Sequence, residues 1–375
     1  MNFSIIDREM MSQALKLAAK GRFTTSPNPT VGCVIVADGK IAGQGFTRPA
    51  GGNHAEIEAL QNAGDTDVAG ATAYVSLEPC SHQGKTGPCV EALIAAGIGR
   101  VVIACEDPNP QVAGSGIEKL QAAGIQVESG LLEDQARDIN RGFIKRHEQG
   151  TPWVLVKMAA SLDGRTAMAS GQSQWITTPP ARQDVQRLRA ASCAIITGIG
   201  TQLMDDPSLT VRITHEELGV EDSLQQPLRV VVDSKLQMAA TARMFEQPGP
   251  TLIATLDGES QREKSQALID AGAEVVFLPA IGEHIDLQAL LVALATRGCN
   301  QVMVEAGAGL AGAFIAEGLL DELVCYWAPK LFGNDARPMF NLPIRTIDAH
   351  LALSVKDMRM IGEDIRVTLT PDKDY

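Results

Sequence analysis

The sequence predicts two α/β domains joined near residue 146, and three observations carry that reading. Short β-branched runs alternate with longer segments whose apolar residues recur at helical spacing, the pattern of a parallel or mixed sheet covered by helices. The 375 residues exceed what one hydrophobic core comfortably serves, at roughly 150 residues per domain. The least hydrophobic stretch between strongly patterned segments is RGFIKRHEQGTP, residues 141–152. The expected domains are therefore 1–146 and 147–375.

In the first domain, residues 7–19 place Met10, Met11, Leu15 and Ala18 at helical spacing and stop at Gly21, a surface helix with one buried face. Strands 31–37 and 41–46 flank Asp38-Gly39, a pair that accepts the left-handed backbone of a tight hairpin turn. A helix begins near Asn53, the expected N-cap. Strand 73–77, helix 89–96, strand 101–104, helix 117–123, strand 126–129 and a short helix at 134–140 complete the domain.

The second domain opens with strand 153–158 and a tight turn at Ser161-Leu162-Asp163-Gly164-Arg165. A helix starts at Thr178, because Pro179 and Pro180 suit a first turn whose N–H groups have no partner. Strand 194–197 ends in Gly198-Ile199-Gly200-Thr201, and Asp205-Asp206-Pro207 introduces residues 209–212. Strands 229–233, 251–254, 274–278 and 301–305 follow, with a final strand at 323–328 after the last helix.

Composition narrows the function. Asp and Glu number 45 against 32 Lys and Arg, a formal net charge of −13, which disfavours a polyanion partner such as nucleic acid. Asp7, Arg8 and Glu9 interrupt the place where a signal peptide would need its apolar stretch, and no window approaches the roughly 18 apolar residues of a membrane span. Seven scattered cysteines, an odd number in a long chain, argue against a secreted disulfide framework. The expected setting is the cytoplasm, with no membrane partner and the chain as a homo-oligomer.

The first chemical constellation is His54-Ala55-Glu56, at the start of a helix, with Cys80 and Cys89, each preceded by proline. One imidazole and two thiolates suit Zn²⁺, and three protein ligands leave a fourth position for water, as in a catalytic site. Zinc brings the pKa of such a water toward neutrality, and Glu56, not needed as a ligand, is free to move protons. His-x-Glu followed by Pro-Cys-x-x-Cys is the signature of zinc deaminases, with the glutamate as general acid and base. Here eight residues rather than two separate the cysteines. Pro88 sets Cys89 at a helix N-terminus, where the dipole favours a thiolate. The alternative is a closed, structural site with His82 as fourth ligand. Cys33 and Cys105, inside apolar strands, read as packing residues.

Thr24-Thr25-Ser26-Pro27-Asn28-Pro29, Val31-Gly32-Cys33-Val34-Ile35-Val36, His54-Ala55-Glu56, Glu78-Pro79-Cys80-Ser81-His82 and Glu106-Asp107-Pro108-Asn109-Pro110 together resemble the deaminase half of the bifunctional riboflavin-biosynthesis deaminase-reductases, whose own cysteine spacing carries the longer insertion. The resemblance implies a cytidine-deaminase-like fold, zinc on His54, Cys80 and Cys89, proton transfer by Glu56, and Asn28 near a pyrimidine ring.

In the second domain, Gly307-Ala308-Gly309-Leu310-Ala311-Gly312 is a G-x-G-x-x-G that follows a strand and opens a helix, so its backbone N–H groups can cradle a phosphate. Tight helix-strand packing is the alternative. A Rossmann fold is excluded, since it places this motif in the first strand-helix turn with an acidic residue roughly 20 positions on. Here the turn is the last of its kind, and residues 326–330 offer no carboxylate. Lys157, residues 161–165, Ser173-Gln174-Trp175-Ile176-Thr177, Arg189, Asp205-Asp206-Pro207, residues 209–212, Asp233-Ser234, Glu305-Ala306-Gly307 and Ala328-Pro329-Lys330 resemble the reductase half of the same family.

That second resemblance implies a dihydrofolate-reductase-like fold using NADPH. Ala159, Trp175, Thr201, Asp205, Ser234 and the turn of Gly307, Ala308, Gly309, Leu310, Ala311, Gly312 and Ala313 would line the cofactor site. Ser173, Arg189, Leu209, Arg212 and Glu305 would face the substrate. The residues themselves allow Arg189 and Arg212 to grip a phosphate through forked, charge-assisted hydrogen bonds, or to be solvated surface cations. Trp175 is open to cofactor contact or to core packing. The expected reaction is hydrolytic deamination of a pyrimidine ribosyl phosphate followed by NADPH-dependent reduction of its ribosyl group. The rival is a nucleic-acid or free-nucleobase zinc deaminase with a non-catalytic nucleotide-binding second domain.

Overall fold

The computed structural model describes residues 3–82, 87–110 and 112–372. The chain divides into two compact units, residues 1–151 with 215–224, and residues 152–214 with 225–375. That residues 215–224 belong with the first unit is not legible in their polar, patternless sequence.

In the first unit, α1 (Ile5–Ala18) starts in a capping box: the Asp7 amide donates to the Ser4 hydroxyl, and the Ser4 amide donates to the Asp7 carboxylate. The hairpin β1 (Gly32–Ala37) and β2 (Lys40–Phe46) turns at Asp38 and Gly39, both at positive φ (49° and 72°), as its sequence predicts. Then come α2 (Ala55–Ala63), β3 (Thr72–Val75), α3 (Cys89–Ala95), β4 (Arg100–Ile103), α4 (Ser115–Ala122) and β5 (Gln126–Ser129). Two short helices, α5 (Glu133–Ile139) and α6 (Arg141–Gln149), end the run. The sheet order is β2-β1-β3-β4-β5, antiparallel on both sides of β1 and parallel from β3 to β5.

Two of the sequence expectations change. Residues 141–149, taken for linker, form α6, because Phe143 and Ile144 bury themselves in the core while the remaining charges face out. The N-cap of α2 is His54, and Asn53 instead reaches forward to donate to Gln61. What seats α2 is glycine. A Cβ on Gly43 would stand 2.1 Å from the Ala59 carbonyl oxygen, and one on Gly45 would stand 2.6 Å from that of Ala55. Only a strand without side chains at those two positions admits the helix so closely.

The second unit begins with β6 (Trp153–Ser161), β7 (Arg165–Ala167), α7 (Pro179–Ala190), β8 (Ala194–Gly198) and α8 (Ile199–Asp205). The short α9 (His215–Leu218) lies in the segment that belongs with the first unit. There follow β9 (Leu228–Val232), β10 (Thr251–Leu256), α10 (Glu259–Asp270), β11 (Glu274–Leu278), β12 (Ala280–Ile281), β13 (His284–Ile285) and α11 (Leu287–Thr296). The chain closes with β14 (Gln301–Val304), α12 (Ala308–Ala316), β15 (Glu322–Ala328), β16 (Arg337–Pro338), β17 (Leu353–Ile361) and β18 (Asp364–Pro371).

The large sheet runs β11-β10-β9-β8-β14-β6-β15-β18-β17, parallel as far as β15 and antiparallel beyond it. Because β8 and β14 are parallel neighbours, the helices that follow them, α8 and α12, begin side by side at the carboxyl edge of the sheet. That edge is where open α/β sheets hold ligands. The hairpin of β17 and β18 has no counterpart in the sequence reading. Val355, Met358 and Met360 on β17 stay exposed among charged neighbours, so the strand lacks the apolar alternation that marks a half-buried one.

Candidate active sites

At the first site, α2 presents His54 as its cap and Glu56 in its first turn, while the end of the segment after β3 presents Cys80 and the start of α3 presents Cys89. Pro88 is the N-cap of α3, one position earlier than expected, and Cys89 is the first helical residue. The His54 Nδ1 lies 3.4 Å from the Cys80 Sγ and 3.3 Å from the Cys89 Sγ. The three ligand atoms all fall within 4.8 Å of one another. His82 is exposed and outside this cluster, so nothing from it closes the site. Residues 83–86 of the insertion between the cysteines lie outside the described residues.

The electrostatics suit a dication. The Cys80 thiol is drawn down to about 4, above all by its hydrogen bond with Cys89, while His54 rises with Cys80 as its partner. Burial and the Cys80 charge push the Glu56 carboxyl up to about 7. Glu56 is 3% exposed and borders a donor set of one nitrogen and two sulfurs that matches zinc, with no fourth His, Cys, Asp or Glu in the cluster among the described residues. Cys33 and Cys105 are buried in the core, as expected of packing residues.

Behind the ligands stands a residue the motif reading passes over. Glu78 is buried, and its carboxylate accepts from the backbone N–H groups of Asp107 (3.2 Å), Gly114 (3.0 Å), Gly116 (2.9 Å) and Ile117 (3.3 Å). Its signal in sequence is only its place two residues before Cys80.

The second site is a cleft of about 940 Å³ at the carboxyl edge of the large sheet. Ala159, Ser173, Thr201, Asp205, Ser234, Glu305, Gly307, Ala308, Gly309, Leu310 and Ala313 line it. So do Lys157, Met204 and Arg337, the last from the two-residue strand β16, too short to show a pattern in sequence. A Cβ on Gly200 or Gly309 would meet nothing within 4 Å, and one on Gly307 only the Thr201 hydroxyl at 3.8 Å. These glycines leave the first turns of α8 and α12 bare toward the cleft, a cradle for an anionic ligand such as a dinucleotide diphosphate.

Other expected site residues fall elsewhere. Ala311 and Gly312 are buried and do not line the cleft, and a Cβ on Gly312 would strike the Asn341 carbonyl oxygen at 2.2 Å, so the last glycine of the motif serves packing. Trp175 stands 63% exposed outside the cleft with the Arg182 guanidinium 4.4 Å from its ring centroid. It is therefore not in the core. Leu209 is buried, at φ 46°. Arg212 is exposed, its backbone N–H held by Gln186.

Arg189 is not a free phosphate fork. It is buried, donates through Nε and Nη2 to the two oxygens of Glu305 at 2.9 Å each, and through Nη1 to the Thr210 carbonyl at 2.9 Å. The Lys157 Nζ lies 3.5 Å from the same Glu305. Burial would raise the Glu305 carboxyl, but Arg189 and Lys157 outweigh it and hold it down at about 2. An ionised carboxylate thus sits on the cleft wall.

Comparison with known proteins places both units. Residues 4–105 match the family described as the cytidine and deoxycytidylate deaminase zinc-binding region, and residues 152–367 match the RibD C-terminal domain. The chain is 48% identical over 365 residues to the riboflavin biosynthesis protein RibD of Escherichia coli, covering 96% of this chain and 98% of that one. It is 46% identical to the protein of the same name from Haemophilus influenzae, covering 99% of each. Among solved structures it superposes on Acinetobacter baumannii RibD with a TM-score of 0.90 at 44% identity, covering 98% and 99% of the two chains. A Thermotoga maritima diaminohydroxyphosphoribosylaminopyrimidine deaminase/5-amino-6-(5-phosphoribosylamino)uracil reductase gives 0.86 at 31% identity with the same coverage.

Proposed function

Because the chain belongs to the riboflavin biosynthesis protein RibD family, and so is a bifunctional deaminase and reductase, we propose that its two activities divide between the two units, with the expected boundary at 146–147 moved to the end of α6, near residue 151. The fold is a cytidine-deaminase-like domain followed by a dihydrofolate-reductase-like one. The first reaction converts 2,5-diamino-6-ribosylamino-4(3H)-pyrimidinone 5′-phosphate to 5-amino-6-(5-phosphoribosylamino)uracil with loss of ammonia. The second reduces the ribosyl group with NADPH to give 5-amino-6-(5-phosphoribitylamino)uracil.

For the deaminase, His54, Cys80 and Cys89 hold zinc and Glu56 is the catalytic residue. The observation that carries this is one imidazole nitrogen at 3.3 and 3.4 Å from two sulfurs, beside a buried carboxyl. Zinc, when bound, supplies a Lewis acid that makes hydroxide accessible at neutral pH. Glu56 would carry the two protons of the water in turn, one to the ring nitrogen and the other to the amino group that departs as ammonia, a task suited to a carboxyl that burial holds above its ordinary range.

For the reductase, the bare first turns of α8 and α12, with Thr201, Asp205, Ser234 and Ala159, receive NADPH, which supplies the hydride. The Gly307 N–H donates to the Thr201 hydroxyl at 3.3 Å, which ties the two turns together. Ser173 and Glu305 face the substrate. Arg189 and Lys157 keep Glu305 ionised, so that it accepts hydrogen bonds from sugar hydroxyls, and exposed Arg212 is a cation for the substrate phosphate. The chain acts in the cytoplasm as a homo-oligomer, a reading the exposed apolar side chains of β17 support.

Supplying the pyrimidine phosphate with and without NADPH, and following ammonia and cofactor separately, tests the assignment. Ammonia appears without NADPH, and NADPH is consumed only after deamination. NADPH loss with no prior ammonia release would refute it.

A further inference from the structure

Resting on the assignment of His54, Cys80 and Cys89 as zinc ligands, we infer that Glu78 is a positioning residue that sets the metal affinity by fixing the Cys80 loop on the first turn of α4. A buried carboxylate would ordinarily be unwelcome in a core. Here the Glu78 Oε2 accepts from the Asp107 and Gly114 N–H groups, and Oε1 accepts from those of Gly116 and Ile117. Two of these amides, Gly116 and Ile117, are unpaired donors of the first turn of α4, where the helix dipole also favours a negative charge.

The same turn holds the rest of the segment. The Ser81 and Ser115 hydroxyls are 2.6 Å apart, and the Lys119 Nζ donates to the Ser81 carbonyl at 2.7 Å. Gly116 makes the approach possible, since a Cβ there would stand 2.3 Å from the Pro79 carbonyl oxygen. Residues 78 and 81 are thus bonded to α4 with Pro79 close against it, and Cys80 lies among them with its sulfur turned toward His54. On the other side, the Glu78 N–H donates to the Cys105 carbonyl at 2.9 Å. The Cys80 sulfur therefore has little freedom to move without breaking ties made by its neighbours, and a ligand held in place before metal arrives binds with less ordering cost.

Three variants of the intact chain test this: Glu78→Gln, which turns an N–H donor toward two backbone N–H groups; Gly116→Ala, which drives Pro79 away; and the milder Lys119→Met, which removes only the tie to Ser81. The readouts are the zinc dissociation constant by chelator competition and the thiolate charge-transfer band of the cobalt-substituted protein. Outer-shell changes typically cost about 10–100-fold in metal affinity, and that loss is expected for Glu78→Gln and Gly116→Ala, with a shifted cobalt band. A smaller loss in the same direction is expected for Lys119→Met, which keeps the test open if the first two do not fold. Leu15→Ala, in the core on α1, is the comparator: it lowers Tm but leaves zinc affinity unchanged. If the variants lower Tm like Leu15→Ala while zinc affinity stays within about twofold of the parent, Glu78 is only structural and the inference is overturned. A parent that binds no zinc would instead overturn the ligand assignment.

Discussion

Replacing Gly43 by alanine adds one methyl group at a point where the structure has no room for it. The new Cβ would lie 2.1 Å from the Ala59 carbonyl oxygen, whereas ordinary contact begins near 3.4 Å. The atom it meets is backbone, so no side chain can swing aside. Helix α2 must retreat from β2 by more than an ångström, and α2 carries His54 and Glu56. Overpacking of this kind costs about 1–3 kcal/mol, and the deaminase unit should lose roughly 5 °C in Tm. Catalysis should suffer more, since a misplacement of about 1 Å can cost on the order of 10²-fold. Ammonia release from the pyrimidine phosphate measures the first activity, and NADPH oxidation with deaminated substrate supplied measures the second. Deamination falls about a hundredfold and reduction is retained. Deamination within about threefold of the parent at unchanged Tm would show that α2 is not seated through Gly43, and equal loss of both activities would point to general misfolding.

Glu56→Gln should lower deamination by about 10²–10⁴-fold while metal analysis still finds one zinc per chain, because the residue moves protons and is not a ligand. Gly309→Asp adds a carboxylate in the first turn of α12, where the dipole tolerates it but an anionic cofactor does not. A fluorescence titration should show NADPH affinity reduced by more than about tenfold, with deamination unaffected. The pH dependence of stability follows from Glu305, whose carboxyl is held at about 2 against an ordinary value of 4.5. A depressed pKa gives stability that is complete above about 4.5 and is lost as pH falls toward 2, a contribution on the order of 3 kcal/mol. Thermal melts of Glu305→Gln should be lower than the parent at pH 7 and flatter between pH 4.5 and 2.

The parts of this molecule that could be read from sequence are those in which chemistry and local structure coincide. His54, Glu56, Cys80 and Cys89 are of residue types that few other roles require together, and the Asp38-Gly39 turn and the Pro179-Pro180 helix start follow from backbone preference alone. Arg189 shows where such reading stops. An arginine in the sequence is a possible phosphate ligand, but whether its fork is free depends on Glu305, 116 positions away, which the sheet brings to the same place. Gly312 is the same lesson inside a motif: its spacing is that of a phosphate turn, yet helix geometry carries it round to the face packed on Asn341. Helix α6 was hidden because only Phe143 and Ile144 in nine residues are apolar and buried, too few to register as a pattern.

The net charge of −13 raises the question of how such a chain binds phosphorylated ligands at all. Most of the obvious cations at the cleft are turned elsewhere. Arg189 and Lys157 face Glu305, and the Arg337 Nη1 lies against the Met204 sulfur at 3.1 Å. Besides exposed Arg212, proposed for the substrate phosphate, there is the pair of helix first turns, where backbone N–H groups carry partial positive charge without adding to the formal total. Such a pair is compact. It serves a single diphosphate-sized group placed at the carboxyl edge of β8 and β14, but it cannot follow a polyanion, which needs cations repeated along its length. On the proposed assignment, two bare helix starts in one cleft suit a phosphorylated small molecule, and the acidic balance of the chain disfavours a polyanion partner.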